Sequence, residues 1–243
     1  LRVLRIIDGK QEYVEDTVVE DVLFRIFING DLVASMNVVR EKLEELTFGY
    51  LVTSNYIKGL DEVDEILFDE NDVLVKLTRE VDPIEIKETY LKQLSDASLT
   101  PAHFVVKESR LSLTPRLIRT VMDELNLRGD TFKQTGGTHS ALIYQDDKVV
   151  AFSEDVGRFN ALDKVIGEAL MNKIDLKNVI LASSGRLAGE MVLKASNAGV
   201  PVMCSVSAPI KSGVNIAIAA GMTLIGFARG DKFNIYSGFE RIA

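Results

Sequence analysis

A chain of 243 residues, 47% of them hydrophobic, can bury one large core or two modest ones without help from disulfides or metals. Its formal net charge of -8 confines any phosphate-tracking surface to a small local patch, so generic nucleic-acid binding is not expected. The only cysteine, Cys204, excludes an internal disulfide, a CxxC redox pair and a cysteine-rich structural zinc site, and fits a reducing, cytoplasmic setting. No stretch approaches the roughly 18 consecutive apolar residues of a membrane span. The richest, residues 216–227, is interrupted by Gly221, Thr223 and Gly226. Arg2 and Arg5 break the apolar run at the N-terminus and no small-residue cleavage site follows, so a signal peptide is not expected.

In chain order, Val22–Ile28 is aromatic and β-branched, Asn29-Gly30 tolerates positive φ, and residues 32–39 resume apolar character, which predicts a hairpin. Between Glu41 and Ser54, Leu43, Leu46, Tyr50 and Leu51 recur near a helical period, with Glu41, Glu44 and Glu45 suited to the first turn. Residues 66–68 and 73–77 flank the polar run 69–72 and predict a second strand pair. The N-terminal part thus reads as a smaller, sheet-rich α+β domain with one helix. Residues 83–112 have poor periodicity and are expected to form a linker or functional loop. Thr114-Pro115 reads as N-cap and first helical residue, followed by the stripe Leu117, Ile118, Val121, Met122 and Leu125, then Gly129. The expected domains are residues 1–112 and 113–243. From His139 onward, strands near 141–144, 149–152, 179–182, 202–206 and 223–228 alternate with helices from about Arg158, from about Arg186 and near 214–220, which predicts an α/β sheet layered by helices.

Polar residues and glycines gather where those strands should end: Thr135-Gly136-Gly137-Thr138-His139, Glu154-Asp155-Val156-Gly157-Arg158-Phe159-Asn160 and Ser183-Ser184-Gly185-Arg186. Ligands of open α/β sheets bind outside the carboxyl ends of strands, where helix N-termini attract anions, so these loops predict one shared cleft. Ser183 to Arg186 is the best phosphate candidate, with two hydroxyls, a glycine that admits close backbone approach and a guanidinium that can grip two oxygens. A plain N-cap at Ser184 beside a surface arginine accounts for the same residues. Arg186, Glu190 and Lys194 stand four apart on one helix face, and a solvated salt-bridge ladder explains them adequately. Glu154 and Asp155 suit either a base or ribose contact or an ordinary cap. Asp163 and Lys164 lie on the polar side of a helix whose stripe is Leu162, Val165, Ile166, Ala169 and Leu170, and read equally as surface residues. His139 belongs to the expected cleft, whereas His103 is distant in sequence, so no metal site is expected. Cys204, in the apolar run 202–206, is expected to be buried and inert.

Taken together, TGGTHSA at 135–141, EDVGRFNALDKVIG at 154–167, SSGRLAGEMVLKASNAGVP at 183–201, SVSAPI at 205–210 and TLIGFARGDKFNIYS at 223–237 resemble the FdhD/NarQ family of formate dehydrogenase accessory proteins. The resemblance implies a C-terminal cytidine-deaminase-like three-layer α/β/α domain, a smaller N-terminal domain and a homodimer. It further implies that sulfur from a cysteine desulfurase reaches the molybdenum or tungsten bis(molybdopterin guanine dinucleotide) cofactor of formate dehydrogenase. Guanine nucleotide recognition, with GDP as a partial analogue, would fall to the loops above together with Ser205, Ser207 and the segment Phe227-Ala228-Arg229-Gly230-Asp231-Lys232. No catalytic residue is assigned. The family's CGxCG loop should precede Thr114, where this chain has no cysteine; Phe159 replaces the histidine of a GRHN motif, and Ile210 the threonine of SAPT. Two functions follow: a sulfurtransferase-type accessory protein, or a diverged cofactor-binding module without sulfur transfer. A free nucleoside deaminase is excluded, because HxE and PCxxC are absent.

Overall fold

The computed structural model describes residues 1–99, 109 and 111–243. The chain begins with an antiparallel hairpin, β1 (Arg2–Ile7) and β2 (Lys10–Glu15), which the charges scattered through its short apolar run concealed. The expected hairpin then follows as β3 (Val22–Ile28) and β4 (Asp31–Val38), with Asn29 and Gly30 at φ 49° and 98° in its turn. Helix α1 (Leu43–Thr53) leads to β5 (Val63–Asp69) and β6 (Asp72–Leu77). These strands form a four-stranded sheet in the order β4-β3-β6-β5. Phe24, Ile26, Ile28, Val73, Val75 and Leu77 alternate onto one face and pack with Leu46, Leu51 and Val52 of α1.

The stretch expected to be linker begins as a helix, α2 (Pro83–Ser95). Asp82 caps it by accepting from the N–H groups of Ile84 and Glu85, and Pro83 occupies the first turn. Its periodicity is blurred because Ile84 and Leu91 are exposed beside the partly buried row Ile86, Tyr90 and Leu94, and its one buried residue is the polar Gln93. The remainder of the expected loop, including His103, lies outside the described residues.

The C-terminal sheet has six strands in the order β12-β11-β10-β9-β7-β8. They are β7 (His139–Gln145), β8 (Lys148–Asp155), β9 (Ile180–Ser183), β10 (Val202–Ser205), β11 (Thr223–Arg229) and β12 (Lys232–Ser237). β9, β10 and β11 are parallel, while β7 runs antiparallel to both β8 and β9, and β12 antiparallel to β11. Helices α5 (Arg158–Met171), α6 (Gly189–Asn197) and α7 (Lys211–Ala220) supply the core on one face. On the other, α3 (Pro115–Arg128) packs through Ile118, Val121, Met122 and Leu125, with Thr114 as its cap. The result is a three-layer α/β/α unit. The short α4 (Asp130–Thr135) and β12 were not anticipated. Nor does α6 start near Arg186: Leu187 donates to the Ala208 carbonyl and forms an isolated bridge with Pro209, which holds that segment extended until Gly189.

The two sheets are joined where α1 crosses α5. A Cβ on Gly49 would collide with the backbone carbonyl of Asp163, and one on Gly167 with that of Glu45, so both glycines are required for the helices to approach this closely. Among the described residues, no helix is long and apolar enough to cross a membrane.

Candidate functional site

Because β8 runs in the same direction as β9, β10 and β11, the ends Asp155, Ser183, Ser205 and Arg229 share one edge of the sheet. The start of β7 lies there too, since His139 pairs with Asp155. Between this edge and α3–α4 is a cavity of about 520 Å³ lined by Gly136, Gly137, His139 and Ser184 among others. Sequence reasoning missed its Phe132 and Lys133 wall, which α4 contributes. The signal that could have found α4 is Gly129-Asp130, a stop followed by an acidic first turn.

The serines of the edge hold backbone in place. Ser183 Oγ accepts from the Gly185 N–H at 3.0 Å, while Ser205 Oγ donates to the Gly185 carbonyl at 2.7 Å and accepts from the Ser207 N–H at 3.0 Å. Ser184 is not a helix N-cap: its Oγ accepts from the Ser140 N–H at 2.9 Å and lies 3.2 Å from His139 Nδ1. His139 is half-buried; burial, and secondarily the charge of Arg158, lower its pKa, so it is neutral at pH 7.

Lys133 is the cation in the cavity wall, and two arginines stand on the neighbouring loops. Arg158 lies across Gly185, where a Cβ would meet its side chain, and its guanidinium sits 4.2 Å from the Phe159 ring. The Nε of Arg158 is buried without a hydrogen-bond partner among the described residues. Phe159 thus serves as a shelf for this cation. Arg186 is exposed.

The acidic residues have internal duties. Glu154 accepts from the N–H groups of Thr131 and Phe132 and from the Thr138 hydroxyl, capping α4 from across the sheet edge. Asp155 is fully buried, 2.7 Å from Lys164 Nζ, and accepts from Asn160 and from the N–H groups of Gly157 and Val39. Asn160 also donates to the Asn37 carbonyl. Asp163, Lys164 and Lys194 are not the surface residues that helical spacing allowed. Lys194 Nζ lies 2.8 Å from Asp163 in a buried pair supported by Thr53 and Ser54. Burial pushes the Asp163 carboxyl up despite Lys194, and pushes the Lys164 ammonium down despite Asp155. The reason is α1, which covers the side of α5 and α6 that would otherwise be solvated. Glu190 lines a different cavity, with Lys194.

The segment 227–232 starts beside the cleft. Phe227, at φ 54°, donates its N–H to the Ser207 carbonyl, and Arg229 Nε donates to the Val206 carbonyl. A bulky residue with positive φ is a rare backbone state that its neighbours must enforce. Ala228 is in the core, Gly230 makes the turn to β12, Asp231 pairs with Arg119 at 2.7 Å, and Lys232 is exposed. Cys204 is fully buried, its Sγ 3.7 Å from the Leu181 carbonyl, and burial raises its thiol pKa to about 12.

Residues 19–243 match the FdhD/NarQ family. The chain belongs to that family. A sulfur carrier protein FdhD of Sulfurisphaera tokodaii is 36% identical over 206 residues, covering 82% of this chain and 80% of the relative. That of Bacillus subtilis is 29% identical over 245 residues, covering 96% and 93%. A crystal structure described as a formate dehydrogenase accessory protein from Desulfotalea psychrophila superposes with a TM-score of 0.84 at 25% identity, over 100% of this chain and 98% of the other. This chain thus shares its fold with a protein named as a formate dehydrogenase accessory protein and its sequence pattern with proteins named as sulfur carriers, while its sole cysteine is sealed in the sheet.

Proposed function

We propose that the protein is a formate dehydrogenase accessory protein that binds the bis(molybdopterin guanine dinucleotide) cofactor of that enzyme through its strand-end cleft. The observation that carries this reading is a strand-end cavity walled by Gly136, Gly137, Lys133, His139 and Ser184, beside which Arg158 lies across Gly185 with its buried Nε unpartnered among the described residues. A buried N–H without an acceptor favours an anionic oxygen. The cavity of about 520 Å³ lies within the range of roughly 300–1,000 Å³ of small-molecule sites, enough for a nucleotide portion of the cofactor. Phe227, 40% exposed at the end of β11, offers a face on which a base can stack. The names of the relatives support the accessory role. By the same family logic the protein works in the cytoplasm as a homodimer, with formate dehydrogenase and a cysteine desulfurase as partners.

A second reading, a cofactor-binding module that carries no sulfur itself, is favoured by Cys204: it is the only cysteine in the chain and has neither exposure nor a lowered pKa. Isothermal calorimetry with GDP tests cofactor binding for both readings. Arg158→Ala and Arg186→Ala should each lose about 1.5–3 kcal/mol, the worth of a charge-assisted hydrogen bond. No heat at millimolar GDP, and none with the isolated cofactor, refutes the cleft as its site.

A further inference from the structure

A second cavity, of about 220 Å³, lies between α1, α2 and α6, away from the strand ends. Its volume falls below the roughly 300–1,000 Å³ of drug-sized sites, which limits an occupant to fragment size. Tyr50, Tyr90, Ile86 and Leu94 give it aromatic and aliphatic walls. Two polar groups there have no hydrogen bond or ion pair among the described residues: the buried Tyr90 hydroxyl and the half-buried Glu190 carboxylate. Neither ties one described element to another, and α6 places Glu190 at the second position of its first turn.

The charges around these two groups decide what would satisfy them. Lys194 also lines the cavity, 4.9 Å from the Tyr50 ring, but its ammonium is spent on Asp163, Thr53 and Ser54. Lys87 is exposed at the rim. Among the described residues Glu190 is therefore the cavity-lining charge, apart from the exposed Lys87 at the rim, that has no ion-pair partner. The Tyr90 phenol is raised by burial first and then by the negative charges of Glu190 and Asp163. A carboxylate and a phenol at one end, with aromatic rings along the sides, complement a cation that has an apolar body. An anion would meet Glu190, and a neutral apolar molecule would leave both polar groups unanswered.

We infer that this cavity is a binding site for a small organic ammonium ligand, with Glu190 and Tyr90 receiving the ammonium and Tyr50 flanking the apolar body. The inference is independent of the strand-end cleft, which shares none of these side chains.

The chain has no tryptophan and six tyrosines, three of them lining this cavity, so intrinsic tyrosine fluorescence reports occupancy directly. The test titrates the full chain with 2-phenylethylammonium, 2-phenylethanol and phenylacetate at matched ionic strength. The expected result is saturable quenching by the ammonium with at least tenfold tighter binding than by the alcohol, and no binding of phenylacetate. Glu190→Gln should reduce the preference for the ammonium over the alcohol by about tenfold, the fold-change of a lost charge-assisted bond. Tyr90→Phe should weaken the ammonium several-fold while leaving thermal stability unchanged, because it deletes a hydroxyl that bonds to nothing in the described fold. Equal affinity for ammonium and alcohol, tighter binding of phenylacetate, an unaltered Glu190→Gln variant, or no response to any of the three overturns the inference.

Discussion

Replacing Lys194 by methionine keeps the volume of the side chain but removes the partner of a carboxylate that is only 1% exposed. Among the described residues Asp163 then retains one side-chain hydrogen bond, from the Thr53 hydroxyl at 2.7 Å, and Thr53 and Ser54 lose the ammonium they accept from. Breaking a buried ion pair from one side costs about 3–5 kcal/mol. Against a total stability of roughly 5–15 kcal/mol this is severe. At about 2–4 °C per kcal/mol for a chain of this size, the midpoint of thermal unfolding should fall by about 6–20 °C. The penalty must also depend on pH. Burial already raises the Asp163 carboxyl above its ordinary value, and loss of Lys194 raises it further. Between the unfolded value near 3.9 and that raised folded value, the native state binds more protons than the unfolded one, so stability falls as pH increases. The deficit relative to the parent protein should therefore be larger at pH 7 than at pH 5. Adding Asp163→Leu should recover most of the loss, since an apolar pair of similar volume can replace a buried ion pair at little cost. Urea unfolding of the single and double variants at both pH values supplies the measurement. A deficit below about 1 kcal/mol, or one flat with pH, would refute the claim that Lys194 neutralises a desolvated carboxylate.

Gly49→Ala and Gly167→Ala should each destabilise by about 1–3 kcal/mol or more in thermal unfolding, because each Cβ meets a backbone carbonyl of the facing helix, a neighbour that cannot rotate away; an unchanged midpoint would contradict the packing of α1 on α5. Incubated with a cysteine desulfurase and labelled cysteine, the protein should show no reductant-sensitive gain of one sulfur atom in its intact mass, because the thiol of Cys204 is buried and its pKa is raised. A gain that disappears in Cys204→Ser would show that the sheet opens to the donor.

What could be read from the sequence follows from how each signal arises. The hairpin at Asn29-Gly30 and helix α3 carry local instructions, a turn with positive φ and a Thr-Pro cap above an apolar stripe, and both form as expected. Helix α2 carries only the short apolar row Ile86, Tyr90 and Leu94, partly buried against the cores, among exposed Ile84 and Leu91, so its clearest instruction is the Asp82-Pro83 start. The start of α6 was misplaced for a different reason: the bridge from Leu187 to Pro209 joins residues 22 apart in sequence, and no local pattern encodes it. Polar spacing on α5 and α6 pointed to solvent because helical periodicity reveals that Asp163, Lys164 and Lys194 share a polar side, not whether another element covers that side. Only the glycines offered a clue, since Gly49 and Gly167 are poor helix formers kept in helix interiors for close approach.

That covering has a consequence for the cleft. The loop from Asp155 to Asn160 carries Arg158, and its geometry is set by Asp155, which receives hydrogen bonds from Gly157 and Asn160 on its own loop. The same carboxylate also accepts from the Val39 N–H, while Lys164 donates to the Val39 carbonyl and Asn160 to that of Asn37. One strand end of the N-terminal sheet thus fixes the strand end from which Arg158 projects, through the buried side chains of Asp155, Asn160 and Lys164. Hydrogen bonds in such surroundings are stronger than on a surface, and leaving any one unmade is costly, so the loop has a single low-energy arrangement. The N-terminal sheet is therefore a structural part of the cleft, although it contributes no side chain to the cavity wall. Displacement of Val39 would act first on Asp155 and Lys164, which bond to it directly, and through Asp155 on the loop that carries Arg158.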